Sequence, residues 1–351
     1  MVPLVVGQYH VQSDSTLLKY YSIFQVYTTS NLTGIIGFNH TTRSLDFINL
    51  KSGSKENSIR LDQAGYNITP EFGDFFYYNF DSIFFCYDEY KLICLNGSTG
   101  IITSYNLNNE ILGRVQPVMG FKLEYIPHER ILQFNAPFYK ELFNRVYYKT
   151  PIIGEFDISK NVMTRRYGFH PSIYHSKKME FPIMSLPSKM NCDGKCYLSF
   201  GPDPYVYVYE RSSGKLINKV LCKSDHVEVV KPIKRNGDFQ IGLDYLSTTP
   251  LYYKILLDKN NNCFYRIVKM PQDLYDDKGR LNQRWTGPWS IVIWDLSRNV
   301  IIGEAELEAG KYNYRFSFVT DDGFCVAKST PETGDLMTFD IIKFSTLQTR
   351  L

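Results

Sequence analysis

PWSIVIWDLSRNVIIGEAEL, residues 288–307, holds a Trp-Asp dipeptide inside an apolar run. Two strand-forming segments, SIVIWDLS (290–297) and NVIIGEAEL (299–307), flank the polar turn Ser297-Arg298-Asn299 and predict a β-hairpin. The dipeptide alone suggests a WD-repeat blade. That signature needs an upstream Gly-His and a recurrence of Trp-Asp, and the chain has no Gly-His and a single Trp-Asp. Trp294 therefore reads as a buried packing residue at a strand end, and the dipeptide as incidental.

The same hairpin recurs as LDFINLKSGSKENSIRL (45–61), KLICLNGSTGIITSYNL (91–107), IIGEFDISKNVMTRRYG (152–168) and VYVYERSSGKLINKVL (206–221). Each apolar strand ends on a large residue: Leu50, Leu95, Phe156, Tyr209 and Trp294. A spacing near ~50 residues marks a propeller with four antiparallel strands per blade. The stretch between Tyr209 and Trp294 is longer, and holds a long insertion or one degenerate extra blade. FGDFFYYNF (72–80) with DSIFFCYD (81–88), and YKILLD (253–258) with CFYRIVKM (263–270), supply the upstream strands of two blades. YRFSFVT (314–320), DGFCVAKS (322–329) and LMTFDIIKF (336–344) make a last set with only three strands. A closed ring needs a fourth from the other end of the chain, and PLVVGQYHVQ (3–12) is the donor, which also removes open sheet edges.

The expectation is an all-β chain forming a single six-bladed β-propeller domain, with seven blades as the fallback. The blades fall near 16–65, 72–107, 121–168, 181–222, 251–307 and 314–344 plus 3–12, so that the N-terminal strand joins the last blade.

Composition agrees with this. Hydrophobic residues make up 44% of the 351 and charged residues 21%, enough for a large core. The 27 Tyr and 24 Phe favour half-buried pleated surfaces. A formal charge of +3 with no long basic stripe argues against nucleic acid as a partner. Arg165-Arg166, Lys177-Lys178 and Lys231 with Lys234-Arg235 read as solvated loop charges. No apolar run reaches the ~18 residues of a spanning helix. MVPLVVGQYH lacks the basic start and cleavage site of a signal peptide, so Met1 would follow a removed leader. Seven Cys, an odd number, lack zinc-ribbon spacing. In Cys192-Asp-Gly-Lys-Cys196 the tight Asp-Gly turn would let the two Cys face each other, as a bridge or as two thiols.

CFYRIVKM, SIVIWDLSRNVIIGEAEL, FVTDDGFCVAKS and LMTFDIIKF, in that order, resemble a family of six-bladed β-propeller proteins without an assigned activity. Many of its members are predicted lipoproteins of Bacteroides-like bacteria. DSIFFCYDEYKLICLNGSTGIITSYNL resembles that family's second blade. The resemblance covers most of the chain and is strongest from about 250 to 344. It implies an extracytoplasmic protein of the periplasm or cell surface, lipid-anchored in its full-length precursor. This sequence departs from the lipidated N-terminal Cys, since its first Cys is Cys86. Membrane association would then depend on an anchor absent from this sequence.

No motif for a cofactor, a metal or a nucleophile stands out. There is no G-x-S-x-G elbow, and Asn96-Gly-Ser-Thr-Gly100 is a hairpin turn. Asp258, Asn260 and Asn262 have calcium-loop spacing, but Cys263 stands where Gly is required and Lys269 where Glu belongs, so a polar turn is expected. Asp273, Asp276 and Asp277 fit no known loop. His170 and His175 are not a helical i, i+4 pair. Asp74, Glu124 and Asp244 are placed by position on inner strands, where channel-mouth carboxylates would serve a glycosidase or lyase. Tyr253, Tyr265 and Arg266 are placed on inner strands of one blade, as an aromatic and cationic site, with Tyr265 and Arg266 on opposite faces. Tyr77-Tyr78 and Tyr147-Tyr148 are candidates for stacking on sugars. The leading reading is a non-enzymatic propeller that binds a glycan, peptide or protein partner. A carbohydrate-active enzyme and a structural member of an envelope assembly are the alternatives.

Overall fold

A computed structural model describes residues 1–12, 23–29, 32–61, 74–88, 91–107, 123–136, 147–235, 238–330 and 336–345. The expected blade starts at 16, 72 and 121, and the first blade's end at 65, lie outside them. The described residues form six four-stranded antiparallel sheets, the blades of a six-bladed β-propeller. Blade one consists of Phe24–Thr28, Thr33–Asn39, Ser44–Asn49 and Lys55–Arg60. Blade two consists of Phe75–Asn79, Ser82–Asp88, Lys91–Leu95 and Ile102–Asn106. Blade three consists of Glu124–Ile126, Ile131–Asn135, Ile153–Asp157 and Val162–Tyr167. Blade four consists of Ser188–Cys192, Lys195–Ser199, Tyr205–Glu210 and Lys215–Leu221, and blade five of Leu251–Asp258, Cys263–Lys269, Trp289–Asp295 and Val300–Leu307. Blade six takes Tyr312–Thr320, Gly323–Lys328 and Leu336–Ser345, and its fourth strand is Val2–Gln12.

The chain divides into two compact units. Residues 13–175 carry blades one to three; residues 1–12 with 176–351 carry blades four to six. The N-terminal strand pairs antiparallel with Leu336–Ser345, from Val2 opposite Ser345 to Gln12 opposite Leu336. The buried Asp340 carboxylate then ties all four strands of blade six. It accepts from Gln8 (2.8 Å) and Tyr312 (2.7 Å) and faces the Lys328 amine at 3.6 Å.

One turn design explains the repeated hairpin. Between the third and fourth strands an Asn or Asp side chain accepts two successive backbone N–H groups: Asn49 from Lys51 and Ser52, Asn96 from Ser98 and Thr99, Asp157 from Ser159 and Lys160. Asp295 accepts from Arg298 in the same place. The turn then closes on a left-handed residue: Gly53, Gly100, Asn161, Gly214 or Asn299, types that tolerate positive φ. In blades one, three, four and five a β-bulge follows, at Ile48, Phe156, Tyr209 and Trp294. The residue matching Trp294 in blade one is thus Ile48; Leu50 is also buried but lies past the strand. Trp294 packs on Phe264 and Tyr197, with ring centres at 5.4 and 6.0 Å.

Among the described residues the long stretch before Trp294 holds insertions and no seventh blade. Between blades four and five, Ile233–Lys234 pairs with Met179–Glu180, and a helix runs from Phe239 to Thr248. Asp238 caps that helix by accepting from the N–H groups of Gln240 and Ile241. Residues 270–288 form a second insertion between the second and third strands of blade five.

Two local expectations change. The Cys192 strand position pairs with Lys195 and Cys196 pairs with Asn191, so the two Cys point to opposite faces and do not bridge each other. Arg165 and Arg166 lie on the fourth strand of blade three, not in a loop. Arg166 donates to the carbonyls of Ala136 and Pro151, both at 2.8 Å.

Candidate functional site

Second strands of blades are buried on both faces, and this decides the fate of two candidate residues. In Cys263–Lys269 the alternation holds as expected: Tyr265 faces blade six, against Phe324 and Phe344, while Arg266 faces blade four. The Tyr265 hydroxyl donates to Asp258 at 2.8 Å, and its pKa is driven up by burial. Arg266 is 0% exposed. Its Nε donates to Ser199 Oγ (3.0 Å), Nη1 to the carbonyls of Pro204 and Cys222 (both 2.6 Å), and Nη2 to those of Asp203 (2.6 Å) and Tyr205 (3.3 Å). Among the described residues no carboxylate forms an ion pair with it. Every donor is engaged, so Arg266 is a clamp between blades and not a ligand contact.

The candidate carboxylates are dispersed among structural roles. Asp74 accepts from the N–H groups of Phe75 (2.9 Å) and Leu123 (3.1 Å), joining the entries of blades two and three. Glu124 opens the first strand of blade three, half-buried and opposite Gln133. Asp244, expected on an inner strand, lies on the helix Phe239–Thr248 and accepts from Gln240. Asp258 accepts from Asn261 and Tyr265 within a turn, and Asp276 accepts from Lys278 and Arg280 within another. Tyr147 and Tyr148 are buried against His170 and Tyr174, leaving no ring face for a sugar. Tyr78 is exposed and meets Tyr125 edge-on.

Tyr253 is the exception. In the first strand of blade five the ladder skips it: Tyr252 pairs with Val268 and Lys254 with Ile267. In the first strand of blade six the ladder skips Tyr314, Arg315 and Phe316, between Asn313 and Ser317. Bulges re-aim side chains that strict alternation would fix. Here they gather Tyr253, Trp285 and Tyr314 into a triangle with ring centres 5.2, 5.5 and 5.7 Å apart, in which Tyr314 is fully buried core and only Tyr253 and Trp285 are half-buried.

Trp285 comes from the insertion at 270–288, which is pinned onto blade six. The N–H of Tyr314 donates to Trp285 O (3.2 Å), its hydroxyl to Arg284 O (2.7 Å), and the N–H of Gly310 to Thr286 O (2.7 Å). Cations surround the triangle. The guanidinium carbons of Arg284 and Arg315 lie 5.3 and 5.6 Å from the Trp285 ring centre, within cation–π range. Lys254 donates to the carbonyls of Arg315 (3.1 Å) and Ser317 (2.7 Å). Behind them the fully buried Lys269 amine donates to Thr249 O (2.9 Å) and Met270 O (3.3 Å). Burial, with Arg284 nearby, brings its pKa down to about 7. Burial also pushes the Tyr253 hydroxyl up to about 12.

Half-buried guanidinium groups over an aromatic floor suit an anionic or ring-bearing ligand. Arg284, Trp285 and Arg315 went unread in the sequence. The Arg-Trp pair in an otherwise polar insertion was the available signal, and the bulge at Arg315 had none.

The blades and this corner define a six-bladed β-propeller carrying a cation-rimmed aromatic site. No family model matches the chain, and neither does any curated protein. Among solved structures, the chain is similar to a member of the DUF4221 family from Bacteroides vulgatus, at TM-score 0.82 and 16% identity over 97% of each chain. It is also similar to a protein of Bacteroides fragilis designated as exported, at TM-score 0.59 and 11% identity over 98% of this chain and 96% of that one. These likenesses show the propeller fold. Among the described residues no helix is long and apolar enough to cross a membrane.

Proposed function

We propose that this chain is a non-enzymatic binding propeller that works outside the cytoplasm, and that the corner of blades five and six holds a glycan or peptide ligand. One observation carries the reading: three of the residues that the ladders skip, Tyr253, Tyr314 and Arg315, meet Trp285 to build the corner. A site fixed by hydrogen bonds before its ligand arrives loses little conformational entropy on binding. Aromatic rings and guanidinium groups suit the holding of a ligand. The exported neighbour supports an extracytoplasmic location.

The test is a glycan and peptide array on the purified chain, with turnover assays on each hit and Tyr253→Ala and Trp285→Ala as variants. Binding without turnover, lost in both variants, is the expected result. Turnover that vanishes in Asp74→Asn, Glu124→Gln or Asp244→Asn would establish the enzyme alternative. Binding to neither array would leave a structural role in an envelope assembly.

A further inference from the structure

We propose that the ligand at this corner is an acidic saccharide, whose ring carboxylate is read by Arg284 and Arg315. This rests on the binding reading above and names its ligand class.

The corner brings two guanidinium groups together. Arg284 and Arg315 converge on one indole there, in a chain whose whole formal excess is +3. An arginine at a protein surface can take a carboxylate partner from its own chain. Some arginines here meet one: Arg280 meets Asp276 at 2.7 Å, Arg298 meets Asp295 at 2.7 Å, and Arg165 meets Glu155 at 3.7 Å, whereas the exposed Arg43 and Arg130 meet none among the described residues. Among the described residues no carboxylate pairs with Arg284 or Arg315. Among the described residues the one side-chain acceptor for Arg284 is Ser247 Oγ, at 3.4 Å. Two planar guanidinium groups beside one indole leave donor forks matched to a carboxylate, which takes two parallel N–H bonds from each fork.

The geometry favours a saccharide over an extended peptide. A peptide that adds a strand to a sheet edge needs a regular row of backbone N–H and C=O groups. At this edge the bulge between Asn313 and Ser317 breaks that row, and Lys254 also bonds the carbonyls of Arg315 and Ser317. A sugar ring needs no such pairing. Its C–H face packs on the half-buried Trp285 while its polar groups meet Arg284 and Arg315.

The experiment titrates the full chain with three probes: uronic-acid oligosaccharides, the same chains with carboxyl groups reduced to alcohols, and glutamate-rich peptides. Wild type is compared with Arg284→Gln, Arg315→Gln and the Lys replacements at both positions, each checked by thermal melting. The uronate probes should bind, and carboxyl reduction should weaken binding by about tenfold or more. Each Gln variant should lose a similar factor at unchanged melting temperature, with Lys restoring only part of it because it lacks the fork. Equal binding of acidic and reduced chains, lost in Tyr253→Ala, would overturn the carboxylate inference and leave the binding reading standing. Binding of glutamate-rich peptides alone would overturn the saccharide assignment. No binding of any probe would overturn the inference, and array hits with other ligands would then decide the binding reading separately.

Discussion

The Arg266 guanidinium lies 3.8 Å from the centre of the Tyr252 ring, in the neighbouring strand of the same blade. From that position it donates into blade four, to carbonyls of three residues from Asp203 to Tyr205, to Cys222 and to the Ser199 hydroxyl. A charge so deeply buried is tolerable only because oxygens replace its water. Arg266→Met should therefore destabilise the chain by about 3–5 kcal/mol, since the carbonyls it served lose their donor. Arg266→Lys should rescue little, because an ammonium cannot span those acceptors. Urea denaturation measures both, and a loss below about 1 kcal/mol for Arg266→Met would remove the clamp from the account.

The N-terminal strand makes a second prediction. Val2–Gln12 completes blade six, and the Met1 amino group donates to Glu304 O of blade five at 2.7 Å. Deleting residues 2–12 exposes the edge of Leu336–Ser345 and strips the Asp340 carboxylate of Gln8. Melting should shift down by several degrees or more, with increased aggregation. A truncated chain that melts with the full one would contradict closure through blade six.

Lys269 predicts a pH dependence. Its pKa is about 7 in the fold against an ordinary 10.5, so between those values the unfolded chain binds more protons at this site. Stability contributed through Lys269 therefore rises with pH across that window, and the cost of the buried charge is fully present below about 7. Lys269→Met removes the titrating group. The rise in melting temperature between pH 7 and 10 should flatten in that variant relative to wild type. Parallel curves would show that the amine is not the group responsible.

Much of the fold was legible because its turns are chemical. An Asn or Asp at the strand end, a Gly or Asn at the left-handed position and a large apolar residue at the bulge recur at blade spacing, and each has a local physical cause. The closing strand was legible because blade six came up one strand short. The helix Phe239–Thr248 was missed although Asp238 is a standard cap, because its exposed Phe239 and Ile241 blur the apolar stripe. The site was legible only at Tyr253. Alternation cannot place residues that a bulge removes from the ladder, which hid Arg315, and it cannot show that a strand is covered on both faces, which made Arg266 look accessible. Trp285 lies in an irregular insertion, where periodicity carries no signal.

The central claim, that the corner of blades five and six is the ligand site, is most directly tested by hydrogen exchange. The full chain is compared with and without a saturating uronic-acid oligosaccharide that binds it. The account predicts slowed exchange in 251–258, 270–288 and 312–317, with the other blades unchanged. Protection that maps to other blades and spares Trp285 and its neighbours would contradict it.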